Sequence, residues 1–146
     1  MALKTDAVGK EWGGTTYQVG REKIKEYANA LGIGNPVHFD LAAAREAGFR
    51  DVVAPPMFCV VYSGPAMGPA IFDPEVGIDF ARMVHGGQEF VWGPVVVAGD
   101  EITTTPRVKE IYARGGMGFY VFETESVNQD GQTVCTGTWT NIVRGV

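Results

Sequence analysis

The run Asn35-Pro36-Val37-His38 places a proton-transfer group inside turn chemistry, between apolar neighbours. An imidazole titrates nearer neutrality than other side chains, and Val37 and Phe39 favour its neutral, proton-accepting form. His38 equally suits a structural task, a hydrogen bond to a backbone carbonyl that braces the loop. A catalytic base needs an orienting partner, so both readings stand. Asn35 and Pro36 set the turn, since proline restricts the residue before it. Asp40 is a possible second acid, but it precedes an alanine-rich segment that it is well suited to cap. The other histidine, His85, stands beside Gly86 and Gly87, where missing side chains signal close approach by another backbone or by a ligand. No acid or nucleophile neighbours it in sequence.

Cys59 and Cys135 are the two cysteines. They lie far apart among apolar or strand-like residues, which reads as buried free thiols of a reducing compartment. No CxxC, HxxxH or HExxH spacing gathers ligands, so neither a metal site nor a cofactor is expected.

Behind these residues, Ile24, Tyr27, Ala28 and Leu31 recur at i, i+3, i+4 and i+7, one face of a helix stopped by Gly32. Asp40 caps a short helix over 41–47 that ends at Gly48. The His38 loop is therefore held between two helices. Ala54-Pro55-Pro56 opens a third helix through about Tyr62, with proline tolerated in its first turn. Its residues are apolar all round, which predicts burial on most sides, and Gly64-Pro65 ends or kinks it. Beyond it, turn signals at 98–100, 113–116 and 128–131 separate four strands, about 80–93, 100–112, 117–128 and 132–144. An antiparallel meander is the expected arrangement, with Pro106 at an edge or bulge.

With 146 residues, 45% of them hydrophobic, the chain suits one domain spanning 1–146, able to bury roughly two thirds of its unfolded surface. A net charge of -5 without a basic cluster argues against nucleic acid and anionic membrane surfaces as partners. The apolar stretch 53–72 is interrupted by prolines and glycines, and the first ten residues carry no apolar signal region, so a cytoplasmic location is expected.

Three segments resemble the MaoC-like hot-dog dehydratase and hydratase family. Gly32-Ile33-Gly34-Asn35-Pro36-Val37-His38 is similar to the family loop Gly-Asp-x-Asn-Pro-(Ile/Leu/Val)-His, with Ile33 where the family has aspartate. Residues 46–50 and 53–58 resemble the lead into the central helix of its N-terminal-type, FAS1-like domains. Val84-His85-Gly86-Gly87-Gln88-Glu89-Phe90, followed by Val97-Ala98-Gly99-Asp100, resembles their first long strand and turn. The opening residues 1–6 resemble the start of non-catalytic-type subunits of split bacterial (3R)-hydroxyacyl-ACP dehydratases.

The resemblance implies an α+β hot-dog fold, an antiparallel β-sheet wrapped around a central buried α-helix. It also implies dehydration of a 3-hydroxyacyl thioester, or hydration of the 2-enoyl form, carried on CoA or ACP. Moving water needs one group for the Cα proton and another for the β-oxygen, and a helix N-terminus to stabilise the thioester oxygen. His38 is the catalytic candidate, with Asn35, Pro56, Met57, Phe58, His85 and Gly86 as substrate-binding candidates. Pro56 offers no N–H to the thioester oxygen, leaving Met57 and Phe58 as donors. Tyr62, Phe72, Phe80, Phe90, Trp92, Trp139, Met57, Met67 and Met83 suit either an acyl tunnel or the core.

Ile33 cannot transfer protons, so the chain is expected to pair, as a homodimer or with a catalytic hot-dog subunit that brings a complete Asp/His pair. The alternative is a non-catalytic acyl-binding or scaffold subunit. A thioesterase ranks last, because 54–63 holds no Asp or Glu.

Overall fold

The helix expected after residue 20 runs from Arg21 to Ala30 (α1) and buries Ile24 and Ala28. The second helix is Leu41–Glu46 (α2), capped by the Asp40 carboxylate, which accepts from the Ala42 N–H at 3.0 Å. These elements come from a computed structural model that describes residues 2–146; Met1, part of the opening 1–6 motif, lies outside the described residues.

The third helical segment is a succession of short pieces. A 3-10 turn, Pro56–Phe58, leads into Cys59–Ser63 (α3), a second 3-10 turn spans Gly64–Met67, and Gly68–Ile71 forms α4. Pro65 and Pro69 break it, since neither donates an i to i−4 hydrogen bond. Within the expected span 54–62 only Pro56 and Met57 are exposed, and the open positions lie mainly beyond it. Phe58, Cys59 and Tyr62 are buried, but Met57, Pro65, Pro69 and Phe72 are exposed and Val60 and Val61 half-buried, leaving one apolar face uncovered. No residue from 52 to 72 is charged. No helix among the described residues is long and apolar enough to cross a membrane.

Five antiparallel strands form one sheet on which this segment packs: Thr15–Gln18 (β1), Met83–Trp92 (β2), Glu101–Arg114 (β3), Met117–Val127 (β4) and Thr133–Arg144 (β5). Their order is β1-β3-β4-β5-β2, which corrects the simple four-strand meander. β3, β4 and β5 do run as a meander. β2 instead pairs with β5 at one edge, and residues 93–100 cross the sheet to reach β3. Side-chain alternation fixes which face is buried but carries nothing about the neighbouring strand.

β1 was not anticipated; four residues are too short for alternation to stand out, and it is held by pairing with residues 101–104. Pro106 faces the lightly covered flank of β3. Its carbonyl accepts from the Trp12 N–H, so its missing N–H points to the same side, beyond the end of β1.

The core has two centres. One gathers Ile24, Phe58, Tyr62, Ile102 and Val134 between α1, α3 and the sheet; the other gathers Met67, Val108, Tyr120, Phe122 and Val143. Phe58 anchors the first, edge-on to Tyr27 with ring centres 5.5 Å apart. Burying such a ring contributes roughly 1.5–3 kcal/mol.

Candidate functional site

A three-rung backbone ladder holds the His38 loop. The Val53 N–H donates to Val37 O at 2.9 Å, Ala54 N–H to Val96 O at 2.9 Å and Ala98 N–H to Val52 O at 3.0 Å. Buried Asp100 fixes the far rung, accepting from the Val97 N–H, from Gln129 and from Arg50. Within the loop, Asn35 caps a 3-10 turn, Pro36–His38, by accepting from the Val37 N–H at 3.2 Å. Asn35 itself is exposed, so its observed task is to shape the turn.

His38 is buried, and its Nδ1 lies 2.6 Å from Val53 O. A carbonyl oxygen only accepts, so Nδ1 carries the proton and donates. That leaves Nε2 with a lone pair and no hydrogen-bond partner among the described residues. The brace foreseen in the sequence therefore exists, and it presets the tautomer in which the other nitrogen can take a proton.

His38 borders an apolar cavity of about 150 Å³. Exposed Pro56, Trp92 and Val95 surround its mouth, while buried Cys59, Tyr62 and Val134 lie at its inner end. The Trp92 indole N–H donates to Pro56 O at 2.8 Å, tying the end of β2 to the start of the helical segment. Cys135 is the cross-strand neighbour of Trp92, and its thiol contacts Cys59. The hydrogen bond with Cys135, then burial, pushes the Cys59 thiol up; burial and the nearby thiols push the Tyr62 phenol up. Both stay protonated, and among the described residues no Asp, Glu, Lys or Arg lines the cavity. His38 is the proton acceptor among those lining residues.

Of the other candidates, Pro56 alone joins His38 at the cavity. Met57 is exposed to one side. Phe58 is wholly buried in the core, and its N–H, foreseen as a donor to substrate, is taken by Pro55 O at 2.9 Å. That expectation is corrected, because the 3-10 turn closes on Pro55. His85 is exposed near the opposite end of β2, roughly 20 Å along the strand from Trp92, with its ring edge-on to Trp139. Gly86 is the extra residue of a β-bulge, and a Cβ there would run into Ile142, so the close approach comes from the protein's own side chain.

Of the residues offered for an acyl tunnel, Tyr62 and Trp92 line the cavity. Phe72 and Phe80 pack together at the surface, 5.0 Å apart, while Met67 belongs to the second core centre. The sequence reading missed Cys59, Val134 and the stretch 93–96. Gly93 was the available signal: a Cβ at that position would strike Thr133 O, so the chain there has no room for a side chain.

Residues 6–137 match the family model described as FAS1-like, dehydratase domain region. A UPF0336 protein of Saccharopolyspora erythraea is 41% identical over 146 residues, covering 99% of this chain and 94% of that protein. Among solved structures, a chain of the C-terminally truncated HadBC (3R-hydroxyacyl-ACP dehydratase) complex of Mycobacterium tuberculosis superposes with a TM-score of 0.82 at 28% identity. The match covers 96% of this chain and 99% of that one. A MaoC-like dehydratase gives a TM-score of 0.85 at 27% identity, over 96% of this chain and 43% of that chain. Matched by this family model over most of its length and superposing on these structures over 96% of it, the chain belongs to the FAS1-like dehydratase domain family, within the MaoC-like hot-dog dehydratases and hydratases.

Proposed function

We propose that the chain works as one hot-dog unit of a (3R)-hydroxyacyl-thioester dehydratase or 2-enoyl-thioester hydratase, with His38 as a proton-transfer group. The observation that carries this reading is the tautomer: Nδ1 is committed to Val53 O, and Nε2 is left free at an apolar cavity. In hydration, water adds its oxygen to Cβ and loses a proton while Cα gains one, so two transfers on one face are required. His38 can serve one. Ile33 cannot serve the other, and Asp40 is occupied as a helix cap. The complete Asp/His pair is supplied by a second hot-dog subunit, and the acyl carrier is CoA or ACP.

Three features support pairing. The helical face bearing Met57, Pro65, Pro69 and Phe72 is exposed and uncharged; β2 is an edge strand with Val91 70% exposed; and Gln88 Oε1 on β2 is buried without a hydrogen-bond partner among the described residues. HadBC is itself a (3R)-hydroxyacyl-ACP dehydratase complex, and the MaoC-like dehydratase chain is more than twice as long as the part matched. Two adjacent free thiols fit a reducing, cytoplasmic setting.

Crotonyl-CoA hydration tests the proposal. The purified chain alone is expected to be nearly inactive, and the assembled pair active with a rate that falls at least tenfold on His38→Ala. An enzyme-like rate from the chain alone that His38→Ala abolishes would overturn the need for a partner. The second reading, an acyl-binding scaffold, is favoured by the lack of any acid at the cavity; it expects the pair's rate to survive His38→Ala.

A further inference from the structure

We infer that Cys59 and Cys135 are the two halves of a reversible disulfide, closed by a hydroperoxide, that staples the helical segment to the sheet. The inference does not depend on the thioester reading above. The chain has two cysteines, far apart in sequence, and the fold brings both to one place. Cys59 opens α3, and Cys135 stands on β5 with Trp92 across one flank and Ser126 across the other. Each is 1% exposed, both belong to the first core centre, and their thiols touch. A single buried cysteine packs as a small hydrophobe; two in contact can also bond. An S–S bond is about 2.05 Å long, so the sulfurs must close in from contact. β5 is paired on both flanks, so the movement falls to α3, which is five residues long and follows a turn whose Pro56 and Met57 are exposed.

The cavity supplies the route. Cys59 and Tyr62, whose side chains hydrogen-bond to the Cys135 sulfur, both line it, and its mouth lies at Pro56, Trp92 and Val95. Hydrogen peroxide, little larger than water, fits a space of about 150 Å³. The two thiols have different parts. The hydrogen bond from Cys59, opposed by burial and helped by one from Tyr62, holds the Cys135 thiol below its ordinary value, while Cys59 keeps its proton. The thiolate is the nucleophile. Cys135 sulfur attacks one peroxide oxygen and the O–O bond breaks, leaving a sulfenic acid; the departing hydroxide takes up the proton that Cys135 gave and becomes water. Cys59 sulfur then attacks Cys135 sulfur, and the S–O bond breaks as hydroxide leaves with the Cys59 proton as a second water. Two thiols lose two electrons and two protons, and the peroxide gains them. A dithiol reductant reverses the bond by exchange.

The test treats the full chain with hydrogen peroxide, with glutathione in a parallel sample to show when an exposed thiol has been consumed. The intact mass is expected to fall by two hydrogen atoms while the circular dichroism spectrum is kept. Both thiols should vanish together from a count made after denaturation, and a peptide map should join Cys59 to Cys135 within one chain. The thermal midpoint should rise by roughly 5–15 °C, because the bond closes a long loop, and dithiothreitol should return mass, thiols and midpoint to their starting values. Cys59→Ala, which removes one half of the pair, should abolish the loss of hydrogen and the rise in midpoint. Two thiols still present once glutathione is fully oxidised, a gain of oxygen in place of a loss of hydrogen, or a bond between two chains overturns the inference. So does a midpoint that rises equally in Cys59→Ala. If that variant does not fold, the peptide map of the unaltered chain decides.

Discussion

Because Val53 O can only accept, the Nδ1 of His38 must donate, and any proton chemistry falls to Nε2. Asparagine places an amide N–H where Nδ1 stands and has nothing at Nε2, so two substitutions separate the brace from the chemistry. His38→Asn is expected to unfold within about 1 kcal/mol of the native protein, whereas His38→Ala, which leaves a buried carbonyl unsatisfied, should lose about 1–3 kcal/mol in chemical denaturation. Both should remove whatever His38 gives to turnover of the assembled pair. At Gly93 the constraint is space: Gly93→Ala drives a methyl into Thr133 O. We expect about 1–3 kcal/mol of destabilisation by the same measurement, with weaker ligand binding at the cavity mouth. His38 was legible in the sequence because its type and its turn are local facts. The cavity was not, because Cys59 on α3 meets Trp92 and Val134 only when the helical segment packs on the paired strands, and spacing along the chain holds no record of that.

Helix ends were similarly local. The Asp40 cap and the proline-led start at Pro56 fell where turn and capping chemistry put them. Strand neighbours were not, since β2 displays the same alternation whether it lies beside β3 or β5. Several connections are pinned by ion pairs whose acid dependence can be given a sign. Arg21 holds the Asp51 carboxyl below its usual 3.8, Lys10 does so for Asp73 and Arg82 for Asp79. Each carboxyl is more acidic folded than unfolded, so its stabilisation is complete above the unfolded value and is lost as the pH falls through the folded one. Unfolding free energy from denaturant titration should therefore hold steady near pH 6 and fall below about pH 4. Arg21→Met should shallow that fall, and added salt should have a similar effect because these pairs are partly exposed.

For the molecule as a whole, the uncharged stretch 52–72 and the β2 edge leave Met57, Phe72, Val91 and Trp92 exposed, the kind of apolar surface that marks an interface. Phe72→Glu and Val91→Glu are expected to lower the mass measured by light scattering from that of a pair to that of one chain, with the circular dichroism spectrum unchanged. An unaltered mass would place the contact elsewhere. The strand order sets a timetable as well. β2 is made before β3 and β4, yet its partner is β5, which also carries Val134 at the cavity's inner end. A nascent chain can thus zip β3 to β4 while β2 waits with both edges bare. Only when residues 133–144 leave the ribosome does the sheet close and the cavity gain its end wall. Ligand binding thus reports that β5 has been made and paired, and a chain stopped before residue 133 would carry His38 without the Val134 side of the cavity.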